Sequence, residues 1–251
     1  MDADIEAHNA RERSQSPDRY GRWMRVNCVI DPRDDIFRFF ANHSLARNPY
    51  REYLSDGWRT LAELMVLMER LDRPLLQVAA MLEFAAGFGR FTRHLAPLLG
   101  DRLTCADVQP GTAEFLAREF GVKAFYSDPD PRRVAIPGRY DLVFVLSMFT
   151  HLPPAMWSPW LRVLHAALTP GGHLVFSVHN EAHDRGLGVD FGADGTHFIA
   201  SSESRALAAE VYGTTFTTRA FVEAEVRRAL GRAALRYDET AFWDGQDAVV
   251  V

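Results

Sequence analysis

The chain of 251 residues is almost without lysine: Lys123 stands alone among 28 basic residues, and the rest are arginine. Such a bias reads as the codon usage of a GC-rich genome, with no guanidinium chemistry implied. Cysteine is scarce as well. Cys28 and Cys105 fall in neither a Cys-x-x-Cys nor a Cys/His ligand pattern, which argues against a disulfide scaffold and a structural zinc site, so no metal is expected. No run reaches the roughly 18 apolar residues of a membrane span, and the first 20 residues lack the apolar core of a signal peptide. The expectation is therefore a cytoplasmic protein with no membrane partner. Positive charge is also short: 28 basic against 33 acidic residues leave a net charge of −5, and no overall field to hold a nucleic-acid backbone. Nucleic acid is disfavoured as a partner.

What is present is ordinary for a globular domain, 47% hydrophobic and 24% charged, with a length that fits one α/β domain plus additions. Residues 1–20 are polar and charged and read as a mobile extension. Residues 21–75 form a helical region with a break at Asn48-Pro49. Within it Trp58, Leu61, Leu64, Met65 and Met68 recur at helical spacing, so Trp58 reads as part of an apolar face with Leu61 and Leu64.

From residue 76 to 251 strands and helices alternate. Ala79 to Phe84 is a strand, Gly87 to Leu99 a helix, and Leu103 to Ala106 a second strand that ends at Asp107. A helix over Gly111 to Phe120, a strand over Val122 to Tyr126 and a strand over Tyr140 to Leu146 follow. The helix Pro153 to Leu168 is stopped by Thr169-Pro170-Gly171-Gly172, and His173 to Val178 is a fifth strand. Residues 181–200 are rich in glycine and read as a long loop. Thr217 or Thr218 caps a helix through Leu230, and Arg232 to Tyr237 with Ala248 to Val251 complete the set as antiparallel neighbours. The pattern predicts a doubly wound, seven-stranded, mostly parallel sheet with a helical lid region before it. Ligands of such a fold bind beyond the carboxyl ends of the strands.

The chemistry concentrates where the first strand turns into a helix, at Glu83-Phe84-Ala85-Ala86-Gly87-Phe88-Gly89. Small residues there allow unusual backbone angles and a close approach of ligand to main chain, and the helix start offers free N–H groups. Asp107 follows Glu83 by 24 positions, at the end of the next strand. A carboxylate there can accept both hydroxyls of a ribose, or it can simply cap the next helix.

These residues resemble the first motif of the class I methyltransferases dependent on S-adenosylmethionine (SAM), here of the small-molecule type. Asp107 is similar to their ribose-binding acid. Asp128, the block Tyr140 to Ser147 with Phe149-Thr150-His151-Leu152, and Leu164 to Leu174 follow in family order. The resemblance implies SAM as cofactor and a Rossmann-like methyltransferase fold. It also implies that Glu83 orders the loop, that the backbone at Ala85 and Gly87 approaches the methionine and ribose, and that Val108 flanks the adenine. Asp128 would accept from the adenine amino group, and Leu146 would offer main-chain contact near the sulfonium. Ala85 departs from the family, which has glycine there.

Methyl transfer is an in-line displacement that mainly requires alignment. If the acceptor is a hydroxyl or an ammonium group, a proton must also leave, and His151, just past the fourth strand, is the candidate general base; the alternative is a histidine bonded to local backbone. His179 is a candidate for substrate binding, or for holding the loop that follows it. Phe88 and Phe149 can face a sulfonium or fill the core. In the helical region His43, Tyr50, Tyr53 and Trp58 can line a substrate pocket, and Arg59 can meet the cofactor carboxylate. A nicotinamide dehydrogenase would need glycine at position 92, where Thr92 stands. A SAM-binding module without catalysis is the other alternative. The expected acceptor is a small molecule; the sequence does not set the oligomeric state.

Overall fold

The structure is a computed structural model and describes residues 1–14, 20–42, 48–181, 188–202, 204 and 207–251. Its strands are β1 (Met81–Phe84), β2 (Leu103–Asp107), β3 (Lys123–Tyr126), β4 (Tyr140–Val145), β5 (Leu168–Val178), β6 (Thr196–Ile199), β7 (Thr214–Thr217), β8 (Arg236–Phe242) and β9 (Gln246–Val250). Seven of them form one sheet in the order β3-β2-β1-β4-β5-β9-β8, with β6 and β7 as a separate pair. The pairs β2–β3, β1–β4 and β4–β5 are parallel, and β9 is antiparallel to both β5 and β8. The helices are α1 (Asp2–Arg13), α2 (Tyr20–Met24), α3 (Asp35–Asn42), α4 (Pro49–Arg70), α5 (Thr92–Leu99), α6 (Thr112–Phe120), α7 (Trp157–Ala166) and α8 (Arg219–Leu230). None of the described helices is long and apolar enough to cross a membrane.

By contact the chain divides into two units. The first comprises Met1–Gln77 and Ala86–Tyr126, so the N-terminal helices belong with α5, β2, α6 and β3. Residues 2–13 form helix α1 where a mobile extension was expected. The helix is polar, yet it has specific partners: Ile5 is fully buried, the His8 Nε2–H donates to the Cys28 carbonyl at 2.9 Å, and the Asn9 side chain bonds both the N–H and the C=O of Ile30. These bonds satisfy a stretch of main chain that has no strand partner in the sheet.

Helix α4 starts where the sequence places it, because Asn48 Oδ1 accepts from the Arg51 N–H and Pro49 takes the first turn, where a missing N–H costs nothing. Leu61 and Leu64 are buried as expected, whereas Trp58 is 47% exposed with its ring edge against His94. The close contact lies one residue earlier. A Cβ on Gly57 would stand 2.1 Å from the Arg90 carbonyl oxygen, so only glycine lets α4 lie this near the turn before α5. The His94 Nε2–H donates to the Leu54 carbonyl at 3.0 Å, and Arg90 pairs with Asp56 at 2.6 Å.

The second unit comprises Val78–Ala85 and Ser127–Val251. Val143, Phe144, Leu174, Val175 and Phe176 are all fully buried, which explains strands with no polar alternation: both faces are covered. Strand β5 begins at Leu168, earlier than the expected His173; Thr169 to Gly172 continue it through an irregular register with β4. Thr218 caps α8 by accepting from the Phe221 N–H at 3.2 Å. Part of the expected loop over residues 181–200 is strand β6, paired antiparallel with β7; residues 182–187 lie outside the described residues.

Candidate functional site

In the first unit the glycine turn is shaped by backbone geometry. Gly87 and Gly89 have φ of 55° and 78°, a left-handed region that favours glycine. The two differ in what surrounds them. A Cβ on Gly89 would stand 2.4 Å from Phe120, so this glycine also serves packing on α6. A Cβ on Gly87 would meet nothing within 4 Å, which leaves open space beside the loop.

Gly87 and Asp107 are brought together: the Gly87 N–H donates to Asp107 Oδ2 at 2.7 Å, and the Gln109 N–H to Oδ1 at 2.8 Å. Burial pushes the Asp107 carboxyl above its ordinary pKa, and the amides of Gln109, Gly87 and Val108 pull against that shift. Each carboxylate oxygen has two lone-pair sites. The Gly87 and Gln109 amides take one on each oxygen and the Val108 amide a third, which leaves one acceptor position. Open space lies beside this loop at Gly87. Val108 is half-buried after β2. Phe88 is a core residue whose ring packs against Phe115 beneath the Arg33 guanidinium, so its side chain is engaged in packing.

Sequence reading missed the anchor of this loop, Arg93. It is 1% exposed, and its guanidinium donates to the carbonyls of Gly89 (2.9 Å), Asn27 (3.0 Å) and Val29 (3.0 Å), with longer bonds to the Phe88 carbonyl and the Tyr53 hydroxyl. The Tyr53 hydroxyl in turn donates to Asp34 at 2.5 Å, and burial raises the pKa of both groups. Tyr53 is thus committed to this network. Tyr50 stacks on His8, and Arg59 pairs with Glu63 at 2.7 Å one helical turn away. His43 lies outside the described residues.

In the second unit Glu83 is buried in β1, opposite Phe144 of β4. Ala85, where the family has glycine, has φ of 64°. An L-residue there carries a steric cost of roughly 1–2 kcal/mol. Asp128 accepts from the Asp130 N–H at 2.8 Å in an Asx turn. Leu146 is half-buried after β4, and the next residue, Ser147, is also left-handed at φ 58°. Ser147 is held on several sides: its N–H donates to Ser177 Oγ (2.8 Å), its carbonyl accepts from Thr150 Oγ1 (2.9 Å), and its hydroxyl bonds the Gln246 amide. Strained residues over-determined in this way cluster at functional sites. Phe149 is fully buried against Trp157 and Phe176, a core residue.

The two histidines meet one element, the segment that runs into and along β7. His151 is buried, its Nδ1 lies 2.6 Å from the Gly213 carbonyl, and its ring stacks on Tyr212 at 4.5 Å. His179 stacks on Phe216, its carbonyl accepts from the Thr217 N–H and hydroxyl, and its Nε2 lies 3.5 Å from the Gln246 amide nitrogen. Gln246 and β7 carried no local sign of this role, because the contacts join positions 37 to 99 residues apart.

A strand, a left-handed glycine turn and a helix, with a carboxylate bonded back to the turn, form the kind of crevice in which doubly wound α/β folds place their ligands. Residues 82–174 match the family model described as "Methyltransferase domain", a stretch that contains Gly87, Asp107 and His151. Among solved structures, the glycopeptide N-methyltransferase MtfA aligns with a TM-score of 0.56 at 15% identity over 81% of this chain and 97% of its own. The complex described as DhpI-SAM-HEP gives 0.54 at 20% identity, covering 83% and 98%. The Burkholderia thailandensis 1,6-didemethyltoxoflavin-N1-methyltransferase gives 0.54 at 18%, covering 88% and 90%. No curated protein matches significantly by sequence. Residues 82–174 are thus similar to a methyltransferase domain, and the chain shares the fold of these solved methyltransferases.

Proposed function

We propose that this protein transfers a methyl group from SAM to an oxygen or nitrogen of a small-molecule acceptor. The observation that carries the reading is the bond from the Gly87 N–H to Asp107, within a left-handed turn that opens onto free space and lies in the matched methyltransferase domain. SAM supplies an electrophilic methyl on its sulfonium. Asp107 accepts from a ribose hydroxyl, the Gly87 backbone lines the approach, Val108 flanks the adenine and Asp128 accepts from its amino group. Glu83 and Ala85 shape the loop, and the Leu146 main chain faces the methionine end. The role assigned to Phe88 reduces to that of its main chain, since its ring is in the core. His151 takes the acceptor's proton and His179 binds the acceptor. The helical region before β1 is read as a lid, and within the first unit α4 is fixed on the start of α5.

A small acceptor is supported by the net charge of −5 and by the names of two similar structures, a glycopeptide N-methyltransferase and a 1,6-didemethyltoxoflavin-N1-methyltransferase. A screen of small hydroxyl and amine compounds with radiolabelled SAM tests this. Label transfer to at least one class, lost in His151→Asn while SAM still binds, is the expected result. SAM binding without transfer to any acceptor would instead favour a binding module, and full turnover in His151→Asn would remove His151 as the base.

A further inference from the structure

Whether His151 can act as a base depends on which ring nitrogen carries its lone pair. A neutral imidazole has one donor and one acceptor nitrogen, and the hydrogen bond made by one sets the role of the other. A carbonyl only accepts. With Nδ1 at 2.6 Å from the Gly213 carbonyl, the proton of the neutral ring sits on Nδ1 and the lone pair on Nε2. The same residue returns a bond, its N–H donating to the His151 carbonyl at 2.9 Å, so Gly213 grips both the main chain and the ring of His151. The grip continues along the strand. The Thr215 N–H donates to the Thr150 carbonyl at 2.7 Å, and its hydroxyl to the Leu152 carbonyl at 2.6 Å.

Glycine at 213 is a matter of space. A Cβ there would stand 2.2 Å from the Ile199 carbonyl oxygen and 2.6 Å from the Phe198 ring, both on β6. Any larger residue pushes the segment off β6 and carries its carbonyl away from the imidazole.

We propose that Gly213 is a positioning residue that fixes the tautomer of His151 so that Nε2 is the nitrogen that takes the acceptor's proton. During transfer the acceptor's O–H or N–H bond breaks and the proton joins Nε2. Nδ1 keeps its own proton and its bond to Gly213, so the imidazolium is held by the same carbonyl, and its extra proton then leaves to solvent. The assignment of the proton to Nε2 rests on the methyltransferase reading; the tautomer itself does not.

Long-range ¹H–¹⁵N spectra of the labelled full chain test it, with the His151 signals identified by their loss in His151→Gln. Protonated Nδ1 and a lone pair on Nε2 are expected in the wild type, and a shift toward the Nε2–H form in Gly213→Ala. A wild-type Nε2–H tautomer overturns the proposal whether or not the variant folds, and an unchanged tautomer in folded Gly213→Ala overturns the role of Gly213. With an acceptor in hand, Gly213→Ala should lose at least about tenfold in turnover, a part of the hundredfold or more that a general base contributes, with KM for SAM unchanged. Calorimetry with SAM on the same samples separates the two ideas: absent binding with the expected tautomer removes the enzyme and leaves the tautomer intact.

Discussion

Replacing Ala85 by glycine should make the protein more stable, against the usual direction of Ala→Gly changes. Ala85 has φ of 64° directly after β1, at the entry to the glycine turn. The left-handed conformation costs an L-residue roughly 1–2 kcal/mol, which glycine does not incur. Against this, glycine gives the unfolded chain more freedom, worth about 0.4–1 kcal/mol. The midpoints leave a net gain of about 0.8 kcal/mol, within a span of about 0 to 1.6. For a chain of this length it corresponds to a rise in Tm of about 1–4 °C. Calorimetric scans and urea titrations of the two proteins side by side measure it. A variant less stable than wild type would refute the reasoning, because it would mean that residue 85 does not hold a left-handed backbone or that its methyl contributes packing worth more than the strain.

Gly89→Ala should be destabilising by at least about 2 kcal/mol, since the added methyl both meets Phe120 at 2.4 Å and enters a left-handed residue; urea unfolding that matches wild type would contradict this. His94 gives a pH dependence. Burial holds its pKa at about 4 against an ordinary 6.5, so the unfolded chain binds the proton first. Its contribution is present above pH 6.5 and is lost as pH falls toward 4, by about 3 kcal/mol. His94→Gln, which keeps a donor for the Leu54 carbonyl but does not titrate, should lose less stability than wild type between pH 7 and 4.5; equal losses would remove His94 as the cause. Asp107→Ala should weaken SAM binding by about 10- to 100-fold, the loss of hydrogen bonds to a charged acceptor, as read by calorimetry.

The sheet and its central turn were legible because their signals are local. The apolar runs at Met81–Phe84 and Tyr140–Val145, Asp107 at a strand end, the break at Asn48-Pro49 and the cap at Thr217 or Thr218, which is Thr218, each follow from a few adjacent residues. What escaped depends on distant partners. Helix α1 has little apolar surface and is held by His8 and Asn9 reaching main chain about 20 residues away. Strands β6 and β7 are four residues each, β6 lies in the glycine-rich stretch of residues 181–200, and the two are recognisable only as a pair. Arg93 reads as one arginine among many until its carbonyl partners are seen. Phe88 shows the converse: placed beside a glycine turn it suggests a cofactor contact, but a residue packed against Phe115 cannot be told from one facing a ligand by position alone.

The most direct test is a calorimetric titration of the purified full chain with SAM, with its demethylated product and with NAD. Saturable binding of SAM and of the product, absent for NAD and weakened in Asp107→Ala, is the predicted result. Binding of NAD alone, or of none of the three, would contradict the assignment of the turn at Gly87 to SAM.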